Sequence, residues 1–292
     1  MLASVAIVIR LPVMNLGDFS SHATAVQRAL NGDAVYTAVQ LAGPYQLPDI
    51  SRGRGFIYPP TAVLLLLPAA LGSIWAVFLL LGSLGLLTFV VTEIVREELP
   101  AHAWIGWLLA AALLISPIAG DAIDAGQVTP LLAAGYGASW LRPRLSGLVA
   151  IVGGALKIYP LVLLAWAIRN RVSMWLPAAV AVFLIAAATV WLGPSIWLHF
   201  WTAWQNAVPQ CAPPSLGSFA CAFGRTGELA ALGATFALTM LAATAVGPPV
   251  AFFLLAIASV VAAPDLFPNY LLIVVVGGLP LACRLATRAL AR

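Results

Sequence analysis

The chain has 292 residues, of which 62% are apolar and only 8% charged, and its mean hydropathy is +1.01. A soluble domain carries about 25% charged residues, so a water-soluble globule is excluded. The net charge of +4 comes from arginines gathered in short segments rather than from one basic face, which excludes a nucleic-acid partner and reads as membrane topology.

The apolar runs lack period-2 alternation, so they imply helices rather than a barrel. The expectation is an all-α integral membrane protein forming a single domain over 1–292. Residues 1–16 make a minimal first span interrupted by Arg10; no cleavable signal peptide is evident, so either the first helix is short or the functional start lies upstream. A polar outer segment, 17–58, follows and ends at Tyr58-Pro59-Pro60. Proline is tolerated in a first helical turn, so these residues read as a helix entrance. The stretch 59–71 is too short to cross at ~1.5 Å per residue, and is expected to be re-entrant or a broken extension of the next span.

Spans 73–95, 101–118 and 127–141 come next, with Arg96-Glu97-Glu98 inside and 119–126 as an outer loop. The block from Leu145 to Ile168 has arginines beyond both ends, and splitting it at "LKIYP" into two short helices keeps them all on one side, with Lys157 at the outer lip. Spans 174–193, 229–246, 250–263 and 270–283 complete about ten, joined by outer loops 194–228 and 264–269 and an inner turn at Gly247-Pro248-Pro249. Arg142 and Arg144, Arg169 and Arg171, and Arg284, Arg288 and Arg292 then face the cytoplasm. Of three cysteines, Cys211 and Cys221 share the long outer loop, as a disulfide or as two thiols, and Cys283 lies in the last apolar run.

On this path nearly every acidic or special polar group outside the arginine clusters falls on one membrane face: Asp18, His22, Asp33, Asp49, Arg52, Arg54, Asp121, Asp124, Gln127, Lys157, Tyr159, His199, Arg225, Asp265 and Asn269. A transporter places ionisable groups at mid-membrane, whereas these spans are almost empty of charge.

Five segments in order, "DFSSHATAVQRALNGDAVY", "FIYPPTAVLLLLP", "DAGQVTPLLAAGYGASWLRPRLSGLVAIVGGALKIYPLVLL", "PPSLGSFACAFGR" and "APDLFPNYLLIVV", together resemble glycosyltransferase family 87, over about residues 10 to 283. That family belongs to the GT-C superfamily of polyprenyl-phosphate-sugar-dependent enzymes, which includes α-1,2-mannosyltransferases. The resemblance implies a GT-C-like helical bundle with a re-entrant or broken helix after the first outer loop. It also implies a bacterial cell membrane enzyme of envelope glycolipid biosynthesis, acting on the extracytoplasmic face. The implied substrates are a polyprenyl phosphate sugar, with mannose as the sugar, and a glycolipid or glycan acceptor.

Such a transfer needs a base for the acceptor hydroxyl, cations for the phosphodiester and a groove for the tail. Asp18 follows the first span and, if a helix starts beside it, His22 sits one turn on; the residues alone leave Asp18 as a helix cap or a base, and the resemblance implies the base. Lys157 is the single lysine; it reads as a snorkelling anchor or, by resemblance, as a ligand of the donor phosphate. Arg225 and Asn269 are further phosphate candidates, Asn269 standing where many relatives have histidine and so adding no charge. His22, Tyr58, Asp124, Gln127 and Tyr159 are expected substrate contacts. Asp121, Asp124 and Gln127 imitate a cation site, but the spacing shows no dedicated loop, and no metal or cofactor is expected. A flippase or carrier of lipid-linked sugars, and a non-catalytic partner retaining the fold, are the alternatives.

Overall fold

The computed structural model describes residues 1–10, 14–46, 56–208, 224–261 and 267–290. The architecture is a helical bundle. Its helices are α1 (Leu2–Arg10), α2 (Gly17–Leu30), α3 (Ala38–Ala42), α4 (Pro60–Leu65), α5 (Ser73–Glu98), α6 (Ile105–Ile115), α7 (Pro117–Ala125) and α8 (Thr129–Leu141). They continue with α9 (Ser146–Leu156), α10 (Leu163–Arg169), α11 (Trp175–Leu192), α12 (Ile196–Asn206), α13 (Gly224–Ala245), α14 (Pro248–Val261) and α15 (Leu271–Leu290). One two-residue parallel pair, Tyr45–Gln46 against Ala207–Val208, joins the first polar segment to the end of α12.

Among the described residues three helical segments are long and apolar enough to cross a bilayer: Ser73–Glu98, Trp175–Leu192 and Pro268–Leu290. At ~1.5 Å per residue, the 26 residues of α5 reach about 39 Å, more than the ~30 Å hydrocarbon layer. A fourth crossing is available if α6 and α7, bent by 55°, count as one. The all-helical bundle is as expected, whereas a count of about ten crossings does not follow from helix length, because prolines and glycines cut the other apolar runs into shorter pieces. α11 has the exposure of a lipid-facing helix, with Val190 85% exposed and Phe183 and Trp175 also open.

The breaks have local causes. Pro60 opens α4, which gives way to a 3-10 turn at Leu67–Leu71, and Gly72 at φ 68° separates that turn from α5. The 59–71 stretch is thus a broken piece ahead of the next span. The segment expected as an outer loop, 119–126, lies mostly in α7. Ser116 caps that helix by accepting from the Ala119 amide at 3.3 Å, Pro117 occupies its first turn, and Gly126 closes it at φ 66°. The break at "LKIYP" falls where the sequence puts it: α9 stops at Leu156, a 3-10 turn covers Tyr159–Val162, and α10 follows.

The bundle has two unlike ends. At one, Glu98 receives the Arg284 Nε at 2.7 Å and the Trp140 Nε1 at 3.1 Å, and Arg142 reaches Glu97 at 3.3 Å. Trp140 stacks on Trp166, which lies beneath the Arg169 guanidinium, so three of the arginine clusters share this end. The buried Cys283 is a free thiol; Cys211 and Cys221 lie outside the described residues, as do Asp49, Arg52, Arg54 and Asp265. A second polar cluster, around Lys157 and Gln127, lies at the opposite ends of α8 and α9.

Between the ends, α5, α8 and α15 close on Gly137, where a Cβ would stand 2.1 Å from Val90 Cγ1 and 3.0 Å from Val276 Cγ1. Overpacking of this kind costs about 1–3 kcal/mol. Gly137→Ala is therefore expected to lower the thermal unfolding midpoint in detergent, while Gly85→Ala on α5, which has open space around it, leaves the midpoint unchanged or raises it.

Candidate active site

The site is assembled from helix ends. α2 begins after Leu16, whose φ of 49° is unusual for a branched residue. The turn is held because the Asn15 and Leu16 amides both donate to the Asp124 carbonyl, at 3.0 and 2.8 Å. Asn15 Oδ1 accepts from the Gly17 amide at 2.9 Å, while Leu16 supplies no side-chain cap. Asp18, in the first turn, is therefore free of capping duty, and its carboxylate accepts no hydrogen bond among the described residues. His22 lies one turn on and is fully buried; neither ring nitrogen has a partner among the described residues, and the ring meets Tyr58 edge-on at 4.6 Å. Burial, with the Lys157 charge adding to it, lowers the His22 pKa to about 3, so the ring is neutral at any working pH.

Lys157 marks the end of α9. Its amide still bonds the Gly153 carbonyl at 2.7 Å, but its own φ and ψ are extended and the chain turns back through Pro160. The "GGALKIYP" pattern has a packing reason: a Cβ on Gly153 would stand 2.8 Å from Pro160 and one on Gly154 2.5 Å from Leu161. The side chain is only 7% exposed. Its ammonium donates to Gln127 Oε1 at 2.9 Å and meets the Tyr270 hydroxyl at 3.4 Å. Three rings surround it, Tyr270 at 4.7 Å, Tyr58 at 5.5 Å and Tyr159 at 6.0 Å. Among the described residues no carboxylate pairs with it.

Gln127 is held from behind. The Thr129 hydroxyl donates to Asn269 Oδ1 at 3.0 Å and lies 3.4 Å from Gln127 Oε1. The Asn269 side-chain amide and backbone amide both donate to Asp121 Oδ2. A chain of polar contacts thus runs from Lys157 through Gln127, Thr129 and Asn269 to Asp121, joining α9, α8, the Pro268–Tyr270 turn before α15, and α7.

The expected residues Asp18, His22, Tyr58, Gln127, Lys157, Tyr159 and Asn269 are thereby gathered at one end of the bundle. Asp18 and Lys157 are close enough to act on each other's charge. Asn269 is almost fully buried and its amide is engaged with Asp121. Asp124 turns its carboxylate to Arg10, 3.1 Å away. The helix carrying Arg225 is described from Gly224, but the Arg225 side chain is outside the described residues. Thr129 and Tyr270 were not anticipated as members. The one available signal was their company, since each adjoins a motif already singled out, "AGQVTP" and "FPNY".

The sequence model of glycosyltransferase family 87 matches residues 56–290, most of the chain. The chain belongs to glycosyltransferase family 87. It is a membrane glycosyltransferase, with apolar helices that suit that placement. No curated protein and no solved structure matches it. The family 87 match includes Tyr58, Asp121, Gln127, Lys157 and Asn269 and begins after Asp18 and His22.

Desolvation raises the Asp18 pKa above the ordinary carboxylate value; Lys157 opposes that shift and Asp121 adds to it. If Asp18 is the base of the reaction it works only when deprotonated, and activity should then rise as pH climbs through this raised pKa. Besides Lys157 and Asp121, the groups nearby are His22, neutral throughout, and the phenol of Tyr58. The acid limb of the pH–rate profile is expected above the usual ~3.9 of aspartate, and Asp121→Asn should move it downward, since that removes a like charge. A limb that Asp121→Asn leaves in place would dissociate it from Asp18.

Proposed function

We propose that this enzyme transfers a hexosyl or pentosyl unit, mannose in the first instance, from a polyprenyl phosphate to a glycolipid or glycan acceptor on the extracytoplasmic face, with inversion at the anomeric carbon. The observation that carries the reading is the nearness of Lys157, a buried ammonium with no hydrogen-bonded carboxylate among the described residues, to Asp18, whose carboxylate accepts no hydrogen bond among them. A buried cation without a counter-ion is costly, and an anionic phosphodiester arriving from the lipid would relieve that cost.

In the proposed step the acceptor hydroxyl oxygen attacks the anomeric carbon from the face opposite the leaving group. The bond from that carbon to the phosphate oxygen breaks, and its electron pair leaves with the polyprenyl phosphate. Asp18 takes the hydroxyl proton. Lys157 balances the charge that gathers on the phosphate, in a site shielded from water by three tyrosine rings. Gln127 and Tyr159 line the sugar side, with His22 and Tyr58 beneath. Phosphate is a good leaving group, so no general acid is required.

Asp18→Asn is expected to abolish transfer while leaving the protein folded in membranes. A hydrogen bond to a charged group contributes roughly 1.5 to 3 kcal/mol, so Lys157→Ala should weaken donor use by about ten- to a hundredfold, and Lys157→Arg by less. Steady-state transfer from farnesyl phosphate mannose in detergent measures both. Unchanged donor affinity and turnover in Lys157→Ala would reduce the lysine to a headgroup anchor and shift attention to Arg225.

The face is tested separately. In a cysteine-free background, a cysteine at Ser215 is expected to react with an impermeant maleimide in intact cells and one at Ser173 to stay unlabelled. The reverse pattern places the site on the cytoplasmic side.

A further inference from the structure

α7 carries two carboxylates one turn apart, and they face different parts of the molecule. Asp121 holds Asn269 at the start of α15. Asp124 is turned toward the N-terminal segment: its Oδ2 accepts from Arg10 Nη1 at 3.1 Å, and its backbone carbonyl accepts from both Asn15 and Leu16. Those three contacts grip the end of α1 and the left-handed turn that starts α2, two residues before Asp18. The surfaces are fitted to match. The Arg10 guanidinium lies against Gly120, where a Cβ would fall 2.0 Å from it, and Phe19 lies against Gly126, where a Cβ would fall 2.7 Å from the Phe19 Cβ. Among the described residues Arg10 is the one side chain that donates to the Asp124 carboxylate, whose Oδ1 has no partner there.

We infer that Asp124 and Arg10 are positioning residues that set the location of Asp18 relative to Lys157 by docking the α1–α2 turn onto α7. The inference rests on the reading of Asp18 as the base. It gives Asp124 a function without contact with the sugar, and it makes α7 the bracket between two sides of the site: Asp121 fixes the polar chain that ends at Lys157, and Asp124 fixes the helix that brings the carboxylate. Gly126 belongs to the same device. It combines a left-handed backbone with the space in which α2 approaches.

Positioning and substrate contact predict different kinetics. A displacement of about 1 Å in a reacting group costs on the order of a hundredfold in rate, with little effect on the binding of a donor held elsewhere. In the purified full chain, with farnesyl phosphate mannose as donor and a bacterial membrane lipid extract as acceptor, Asp124→Asn is expected to lower kcat by about ten- to a hundredfold with donor KM within about twofold. Gly126→Ala, which leaves every charge in place, should give the same pattern. Arg10→Lys should retain most turnover, and exchanging the two charges in an Arg10→Asp, Asp124→Arg double variant should recover part of what Asp124→Asn loses. A structural role alone would lower the unfolding midpoint and the amount of active enzyme without rescue by the exchange, and that result overturns the inference. So does a raised donor KM with unchanged kcat, which would return Asp124 to the substrate. Wild-type kcat in Asp124→Asn and Gly126→Ala beside an inactive Asp18→Asn removes the positioning role alone, whereas full turnover in Asp18→Asn removes the base itself and this inference with it.

Discussion

A buried ammonium to which no carboxylate among the described residues is hydrogen-bonded, with Asp18 near enough only to act on its charge, is the constraint around which the polar end of this bundle is built. An isolated charge in an apolar interior is costly unless fixed dipoles and rings replace its water, and each element near Lys157 supplies one such replacement. Gln127 offers a carbonyl oxygen, and the tyrosines offer ring faces from α4's entrance, the 3-10 turn after Lys157 and the start of α15. The C-terminus of α9 adds the negative end of a helix dipole. These groups stabilise the cation without neutralising it. A carboxylate in hydrogen-bonding contact would neutralise it and close the site to an incoming anion, which is why the distance between Asp18 and Lys157 matters as much as their presence.

The same end of the molecule contains several of the backbone breaks. Helices stop or turn at Gly72, Ser116, Gly126 and Lys157, and each break exposes amides or carbonyls that lipid cannot satisfy. They are tolerated because they are turned toward protein. The Asp124 carbonyl takes two amides from the α1–α2 turn, the Ser116 hydroxyl takes the amide of Ala119, and Asn15 takes the amide of Gly17. Broken helices therefore serve the chemistry directly. A continuous helix presents side chains only along its flank, whereas a helix end at the lip presents a residue such as Lys157 or Asp18 at the mouth of the bundle.

The parts of this arrangement that local sequence could disclose were the ones governed by local physics. Composition and run length disclosed the helical membrane class, and Pro160 disclosed the break beside Lys157. The four-residue spacing placed His22 over Asp18 once a helix started there. The two aspartates of α7 read as an exposed outer turn, although Ser116-Pro117 at its start and Gly126 at its end are ordinary helix boundaries. The number of crossings was not legible either, because apolar composition does not distinguish a spanning helix from a short one packed inside the bundle. Least legible of all were the partnerships. Arg10 meets Asp124 across 114 residues, and Asn269 meets Asp121 across 148, and no periodicity or spacing encodes a contact at that range.

Those two distant pairings divide the site in a way the family match makes visible. The lysine and the polar chain behind it belong to the segment that family 87 defines, residues 56–290, and Asp18 arrives on a helix that precedes it. On the proposed reading of Asp18 as the base, the two portions must be held in register to within the tolerance of a proton transfer. Hydrophobic packing of α1 and α2 alone would fix their depth but only weakly their rotation and axial position, since apolar contacts are non-directional. Directional contacts do what packing cannot: one ion pair and two backbone hydrogen bonds converge on Asp124, and the glycines at 120 and 126 allow the two surfaces to approach closely enough to form them. Of the two carboxylates of α7, one therefore answers to the family-defined body and the other to the segment before it, and that short helix holds the two portions of the site in one frame.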